Sequence, residues 1–436
     1  MKCFIGIDLG TSGCRGMAID SRARTVAECG LPLARSDTPK PGHCQQNPRH
    51  WWETVIEILT RLSRACRGYT PAAIAVDGTS STLLLSDPRG EPLTPALMYN
   101  DNRSGDQLPR LRRLAPGESP VLSAGSSLAK LLHLRAQGIT GPFFALHQAD
   151  WILGRLCGRY PISDENNALK LGYDPIRREW PVWMKSLDLP PGCLPTVYPC
   201  ATPAGRLTQE LATKTGLTNR PGIVTGTTDS TAAFLATGAR ETGDAVTSLG
   251  STLVLKILSE RPIFAAEYGV YSQRLGDRWL VGGASNSGGA VCRAFFNDQE
   301  MERLSAAIDP GLETGLDYYP LLTPGERFPI NDSRLPPRLR PRPTEDARFF
   351  QGLLEGITRI ERDGYALLHR LGAPKPRRVL TLGGGSVNEP WRRMREIALE
   401  IPVERAAQQA AAYGTALLAR QGELVSGADN RGFSEG

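Results

Sequence analysis

A glycine turn set between two apolar runs opens the chain and limits the folds open to it. Phe4 to Ile7 stops at Asp8-Leu9-Gly10-Thr11-Ser12-Gly13 and resumes as Arg15-Gly16-Met17-Ala18-Ile19-Asp20, the pattern of two strands joined by a tight turn. A similar order, Thr247-Ser248-Leu249-Gly250-Ser251-Thr252, follows Ala245-Val246 and leads into Leu253 to Leu258. Each likeness opens one half of the chain, which suggests an internally duplicated fold. At 436 residues the chain exceeds what one ordinary core supports, so two domains with a cleft for small ligands are expected.

Between these turns, strand and helix patterns alternate. Asn47-Pro48 sets a helix start, and Trp51, Val55, Leu59 and Leu62 recur at helical spacing to Cys66. Ala72 to Val76 reads as a strand ending at Asp77-Gly78-Thr79-Ser80, and Leu83-Leu84-Leu85 as another before Asp87-Pro88-Arg89-Gly90. Ile223-Val224-Thr225 reads as a strand, Gly226-Thr227-Thr228 as its turn, and Asp229-Ser230 as the opening of a helix to Gly238. The domain boundary falls after that helix, giving residues 1–236 and 237–436. Pro320 to Pro343 is expected to be a long surface connection, followed by a helix from about Thr344 with Phe350, Leu353, Leu354, Ile357 and Ile360 on one side. Val379 to Leu382 is a strand ending in Gly383-Gly384-Gly385-Ser386, with Asn388 and Pro390 starting a helix. An alanine-rich helix from Ala406 to Arg420 and a polar tail close the chain. Such alternation specifies an α/β fold with its ligand-facing residues at strand ends.

Composition excludes several classes. With 40% hydrophobic and 22% charged residues the chain is globular rather than disordered. Lys and Arg outnumber Asp and Glu by 51 to 45, but the cations are scattered, and the densest run, Arg334 to Arg342, is broken by prolines and reads as a solvated loop. No nucleic-acid partner is expected. No apolar segment is long enough to span a bilayer, so no membrane partner is expected either. Nine cysteines at irregular spacing fit a reduced, cytoplasmic protein.

The turns carry the chemistry. Asp8 to Gly13 joins a carboxylate to small residues whose backbone N–H groups can surround phosphate oxygens; the alternative is a plain hairpin with a solvated Asp. Gly250-Ser251-Thr252 offers the same pair of readings. Gly383 to Ser386 can bring backbone against a flat ring or ribose, with Asn388 adding a polar contact and Trp391 a stacking face, or it is a flexible connection. Asp229, at a strand-to-helix junction, is a helix cap, a general base, or both. The five histidines lack metal-ligand spacing, and no nucleophile elbow, P-loop or dinucleotide fingerprint is present.

Taken in order, these three loops resemble the two phosphate motifs and the adenosine motif of the actin, hexokinase and Hsp70 superfamily, and within it the FGGY carbohydrate kinases. The likeness runs from Ile7-Asp8-Leu9-Gly10-Thr11-Ser12 through Gly226-Thr227-Thr228-Asp229 and Gly352-Leu353-Leu354-Glu355-Gly356 to Gly383-Gly384-Gly385. It implies an α/β fold of two actin-like (ribonuclease H-like) domains with a cleft between them, a helix near residues 410–423 packing back on the first domain. More narrowly, Asp77-Gly78-Thr79-Ser80, Ser126-Ser127-Leu128-Ala129-Lys130-Leu131, Gln148-Ala149-Asp150-Trp151 and Asn167 to Tyr173 resemble the D-ribulokinase branch of cyanobacteria and plant plastids. That resemblance implies ATP-dependent phosphorylation of the primary hydroxyl of a ketopentose, D-ribulose to D-ribulose 5-phosphate, with ATP and Mg2+, by a monomer or homodimer. D-xylulose, another polyol, and an actin-like ATP switch without sugar transfer are the alternatives.

Carried over residue by residue, the resemblance makes Asp229 the base and a sugar contact. It places Asp8 near Mg2+ and the sugar hydroxyls, and Ser80 on the sugar. Thr11, Ser12, Gly250, Ser251 and Thr252 fall on phosphate, and Gly384, Gly385, Asn388 and Trp391 around adenosine. Xylulose and glycerol kinases carry a Gly-Gln-Met-His or Gly-Gln-Gln-His type segment where Asp77-Gly78-Thr79-Ser80 stands here, which argues against those two sugars.

Overall fold

In the computed structural model, which describes residues 1–139 and 141–429, the opening turn joins two antiparallel strands, Lys2–Leu9 and Gly13–Asp20. Thr25–Pro32 pairs outside Gly13–Asp20, and Thr70–Gly78 runs parallel to Lys2–Leu9 on its other side. Gly222–Val224 and Thr227–Thr228 both pair in parallel with Thr70–Gly78, and Pro203–Arg206 forms the far edge. A second sheet repeats this plan. Arg278–Ser285, Leu253–Ser259 and Asp244–Leu249 are mutually antiparallel neighbours, then Arg378–Leu382 and Val403–Arg405 follow in parallel. Both sheets therefore place a hairpin turn beside the end of a parallel strand, a position where α/β sheets bind ligands.

The chain divides into two compact units. One comprises residues 1–236 together with the chain from Ala410 on; the other is Thr237–Gln409. In the first, the helix Pro48–Ala65 is capped by Asn47, whose Oδ1 accepts from the Arg49 amide at 3.0 Å. It buries Trp51, Val55, Ile58, Leu59 and Leu62 against the sheet, each side chain contributing about 1.5–3 kcal/mol on burial. The other sheet face is covered by the helix Ala411–Asp429, which lies so close to Lys2–Leu9 that a Cβ on Gly6 would overlap the Ala412 carbonyl. Gly414 in turn meets the Ala232 carbonyl, letting this helix cross Asp229–Ala236.

In the second unit, the helix Asp346–Arg370 supplies Phe349, Phe350, Leu353, Leu354, Ile357 and Ile360 to a separate core. Pro320 to Pro343 is not merely a surface connection. Phe328 is fully buried in this core, and buried Glu326 accepts hydrogen bonds from Ser285 Oγ and the Asn286 amide at 2.6 and 2.7 Å. The arginines at 334, 338, 340 and 342 remain exposed, as expected. The last helix starts at Ala411, not Ala406. The Ala406 amide instead donates to the Thr381 carbonyl, which carries the chain one residue further along the sheet edge after Val403–Arg405. The helix also runs on to Asp429, past the expected end at Arg420, so the first part of the expected polar tail is helix; residues 430–436 lie outside the described residues. All nine cysteines are free thiols, and no helix among the described residues is long and apolar enough to cross a membrane.

One ion pair fixes the second sheet at its base. Asp244 and Arg378 face each other on parallel strands and bond at 2.9 and 3.1 Å. Asp244 also accepts from the Arg240 and Glu241 amides. Burial alone would raise its pKa, but Arg378 and the two amides hold it down to about 2. A carboxyl depressed from an unfolded value of about 3.9 stabilises the fold above that value and loses the contribution as pH falls toward 2. After allowance for screening at the partly exposed Arg378, this amounts to about 1–2 kcal/mol. Acid titration followed by circular dichroism should show this loss between pH 4 and 2, and the Asp244→Asn variant should lack it; identical acid limbs would refute the assignment.

Candidate active site

The parallel register brings three carboxylates together in the first unit. Asp8 and Asp77 are direct neighbours on adjacent strands, and Thr227 sits beside Asp77 on the next, two residues before Asp229. Thr227–Thr228, read from sequence as a turn, is a short strand because a glycine precedes it. A Cβ on Gly226 would overlap the Val76 carbonyl, so only glycine lets the chain come this close. Asp229 is the first residue of its helix, which ends at Ala236 rather than Gly238, and its Oδ1 accepts from the Ser230 amide at 2.6 Å. Behind it, Asn166 Nδ2 donates to Thr227 Oγ1 at 2.9 Å and steadies the strand.

Burial pushes Asp77 well above the usual carboxylate range, and the charges of Asp8 and Asp229 push it further. Thr415 Oγ1, from the helix Ala411–Asp429, donates to Asp77 Oδ2. The other oxygen, Oδ1, is buried and, among the described residues, meets no N–H or O–H donor; its neighbour is Asp8, whose own burial raises it above the usual carboxylate range, with the Asp77 hydrogen bond and Arg15 opposing the rise. A proton on Asp77, donated to Asp8, satisfies both groups. The sequence assigned no site role to Asp77 or Thr415, because their roles depend on strand register and on a helix distant in the chain.

The turn beside Asp8 is held by its carbonyls. Gln46 Nε2 donates to the Thr11 carbonyl at 2.8 Å, and the Leu33 amide to the Ser12 carbonyl at 2.9 Å. Among the described residues the Thr11 and Ser12 amides donate to no carbonyl. Ser80 stands half-buried in the turn after Thr70–Gly78. A cavity of about 430 Å³ in the same unit, walled by Leu33, Arg35, Arg49 and Trp51, contains none of Asp8, Ser80 or Asp229.

In the second unit, Ser248 pairs with Leu382, so the turn at Gly250 and the turn at Gly383 leave neighbouring strands side by side. Gly383 has φ +89°, and a Cβ there would come within 2.7 Å of the Leu249 carbonyl. The Gly289 and Ala290 amides donate to the carbonyls of Gly250 and Ser251 at 2.9 and 3.1 Å, while the Ser251 and Thr252 amides donate to no carbonyl among the described residues. That arrangement suits an anion. Arg293, which the sequence did not single out, donates to Ser251 Oγ at 2.9 Å and adds a cation beside the turn.

The expected adenosine residues divide. Gly384 is exposed and a Cβ there would meet open space, but Trp391 is buried, with its indole N–H on Thr358 Oγ1 at 3.0 Å. Its ring packs beneath Gly385 and offers no stacking face. Asn388 caps the helix Glu389–Leu399 by accepting from the Trp391 amide and donates to Ser305 Oγ.

The chain matches the N-terminal domain of the FGGY family of carbohydrate kinases over residues 3–236 and the C-terminal domain over residues 245–421. It belongs to the FGGY carbohydrate kinases. The chain is thus an ATP-dependent sugar kinase. This kinase is 26% identical to the xylulose kinase of Escherichia coli (strain K12) over 415 residues, 90% of this chain and 84% of that one. It is 25% identical to the xylulose kinase of Bacillus subtilis (strain 168), over 97% and 88% of the two chains. In fold it resembles a xyloylose kinase from Brucella ovis, with TM-score 0.88, 24% identity, and coverage of 97% and 91%. These relatives are xylulose kinases and do not single out the ribulokinase branch. The kinase's residues also fit a magnesium ion of the kind that arrives with a nucleotide. No cluster of three or more His, Cys, Asp or Glu side chains able to hold a metal forms among the described residues, but Mg2+ commonly binds through one or two carboxylates plus substrate phosphates, and Asp8, half-buried at the end of Lys2–Leu9, is a single carboxylate of that kind.

Proposed function

We propose that this kinase transfers the terminal phosphoryl group of MgATP to the primary hydroxyl of a ketopentose, D-xylulose in first place, with Asp229 as the base. The observation that carries this reading is the register that brings Asp229 beside Asp8 and Asp77, in the unit whose Thr11 and Ser12 amides donate to no backbone carbonyl among the described residues. Asp229 takes the hydroxyl proton as the oxygen attacks, a role a carboxylate fills when held near the acceptor. A neutral Asp77 lessens the repulsion that two ionised neighbours would impose on Asp229. Thr11 and Ser12 direct amides at phosphoryl oxygens where charge develops; in the second unit, taken by itself, Ser251 and Thr252 offer amides of the same kind. Asp8 would hold the Mg2+, which when bound neutralises phosphate charge. Gly384 and Gly385 lie along the nucleoside. The free cysteines support a cytoplasmic setting.

D-ribulose is the second reading, and Asp77-Gly78-Thr79-Ser80 favours it, because that turn offers a small hydroxyl in place of a bulkier His or Gln. A coupled assay over D-xylulose, D-ribulose, glycerol and gluconate should give the highest kcat/KM on a pentulose, at least about tenfold above the other two, a margin set by a pocket's hydrogen-bonding groups. The better pentulose decides between the two readings. ATP turnover that no sugar accelerates would overturn both in favour of a nucleotide switch.

A further inference from the structure

Lys130 lies in the helix Ser127–Ala136, between Leu128, Ala129, Leu131 and Leu132, and is fully buried. A lysine among apolar neighbours is costly to bury unless its donors are satisfied. Here Nζ donates to the carbonyls of Ser81, Met98 and Gly125 at 2.9, 2.7 and 3.0 Å, one for each proton of an ammonium. The three carbonyls belong to three separate stretches of chain. The nearby carboxylate, Asp101, is already paired with Arg103 at 2.8 Å, so the carbonyls alone solvate the lysine. Burial pulls Lys130 down to about 7, and Asp101 opposes the shift.

The first of those carbonyls belongs to Ser81, at φ +71°, a left-handed conformation that a non-glycine residue keeps only when its surroundings impose it. Ser81 directly follows Ser80. On the other side of the same turn, Gln148 Oε1 accepts from the Thr79 amide and hydroxyl, both at 2.9 Å. Thr82 Oγ1 lies 2.6 Å from Thr79 Oγ1 and accepts from the Tyr99 amide at 3.0 Å. The turn is thus clamped from two sides, with Ser80 between the clamps. Two buried polar atoms at the same place, Ser81 Oγ and Gln148 Nε2, find no partner among the described residues, as expected where a hydroxylated ligand completes the hydrogen bonding.

We propose that Lys130 is a positioning residue for the sugar. By drawing the carbonyls of Ser81, Met98 and Gly125 onto one ammonium, it fixes the turn that presents Ser80, so sugar affinity depends on it and nucleotide affinity does not. This rests on the ketopentose reading above. The Lys130→Met variant keeps the length and apolar stem but donates nothing. On the preferred pentulose, its sugar KM should rise at least about tenfold while the ATP KM stays within about twofold of wild type. Lys130→Gln, which restores two N–H donors, should recover a good part of the sugar affinity. In a double-mutant cycle, Ser80→Ala should raise the sugar KM far less in the Lys130→Met background than in wild type, because both changes act through one contact.

A merely structural lysine would lower the melting temperature and shift both KM values alike, and that outcome overturns the proposal. An unchanged sugar KM in an active Lys130→Met enzyme also overturns it while leaving the ketopentose reading intact. If Lys130→Met fails to fold, Lys130→Gln carries the test, and equal changes in its two KM values count against the proposal. A wild type that phosphorylates no sugar removes the function reading and this inference together.

Discussion

Asp229→Asn is expected to lower kcat by on the order of 10²-fold or more on the preferred sugar, about 2.7 kcal/mol of barrier at 1.36 kcal/mol per decade. The KM values should change by less than about threefold. Asparagine keeps the shape of the side chain, and its carbonyl oxygen can still accept from the Ser230 amide, which stands 2.6 Å from Asp229 Oδ1. It cannot accept a proton at neutral pH. Removing the charge also relieves the push on Asp77, so the melting temperature should hold or rise slightly. A coupled assay with a parallel thermal melt separates the two effects. A variant that turns over at nearly the wild-type rate means another group takes the proton.

The second large effect concerns stability. Arg395 and Glu361 are both 1% exposed and bond twice, at 2.6 and 2.7 Å. Arg395 also donates to Thr381 Oγ1 at 2.8 Å, and Glu361 accepts from Thr247 Oγ1 at 2.5 Å, which itself lies 2.9 Å from the Tyr365 hydroxyl. Thr247 and Thr381 stand on the two strands whose ends carry the Gly250 and Gly383 turns. Arg395→Met leaves the Glu361 carboxylate buried without its cation, which costs about 3–5 kcal/mol and should lower the melting temperature of the second unit by about 10 °C. Pairing it with Glu361→Leu should restore much of the loss, since an apolar pair of similar volume leaves no orphaned charge. A single variant that melts within 2 °C of wild type would show that the network is solvated or redundant. The ATP KM should also rise in Arg395→Met if the Gly250 and Gly383 turns hold the nucleotide as proposed, because both lose a shared support.

Local signals were the ones legible in the sequence. The hairpin at Gly10, the helix start at Asn47-Pro48 and the cap at Asn388 depend on residues within a few positions of one another, and each is found where it was expected. What escaped depends on contacts between distant residues. Thr227–Thr228 carries no hydrophobic period and becomes a strand only because Gly226 fits against Val76. Residues 406–410 look helical by composition, but the Ala406 amide and the Gln409 side chain are drawn to Thr381 and Gly383. Trp391 follows a glycine loop, a place that suggests stacking on a ligand, yet its N–H is satisfied by Thr358 inside the core. Asp77 was visible as a strand-ending acid, while its pairing with Asp8 required the register. Lys130 left a trace that could have been followed, a single cation inside an apolar helical stretch.

The helix Ala411–Asp429 lies against the opening strands of a unit whose remaining residues all precede Thr237. On the ribosome, residues 1–236 therefore emerge without a cover for one sheet face, and Phe4, Met17, Ile19, Ala73 and Ala75 must wait for the whole of the second unit to be translated. The second unit has no such debt and can fold first, reversing the usual order of synthesis. A nascent chain stalled before Ala410 would expose that face to chaperones or to other chains.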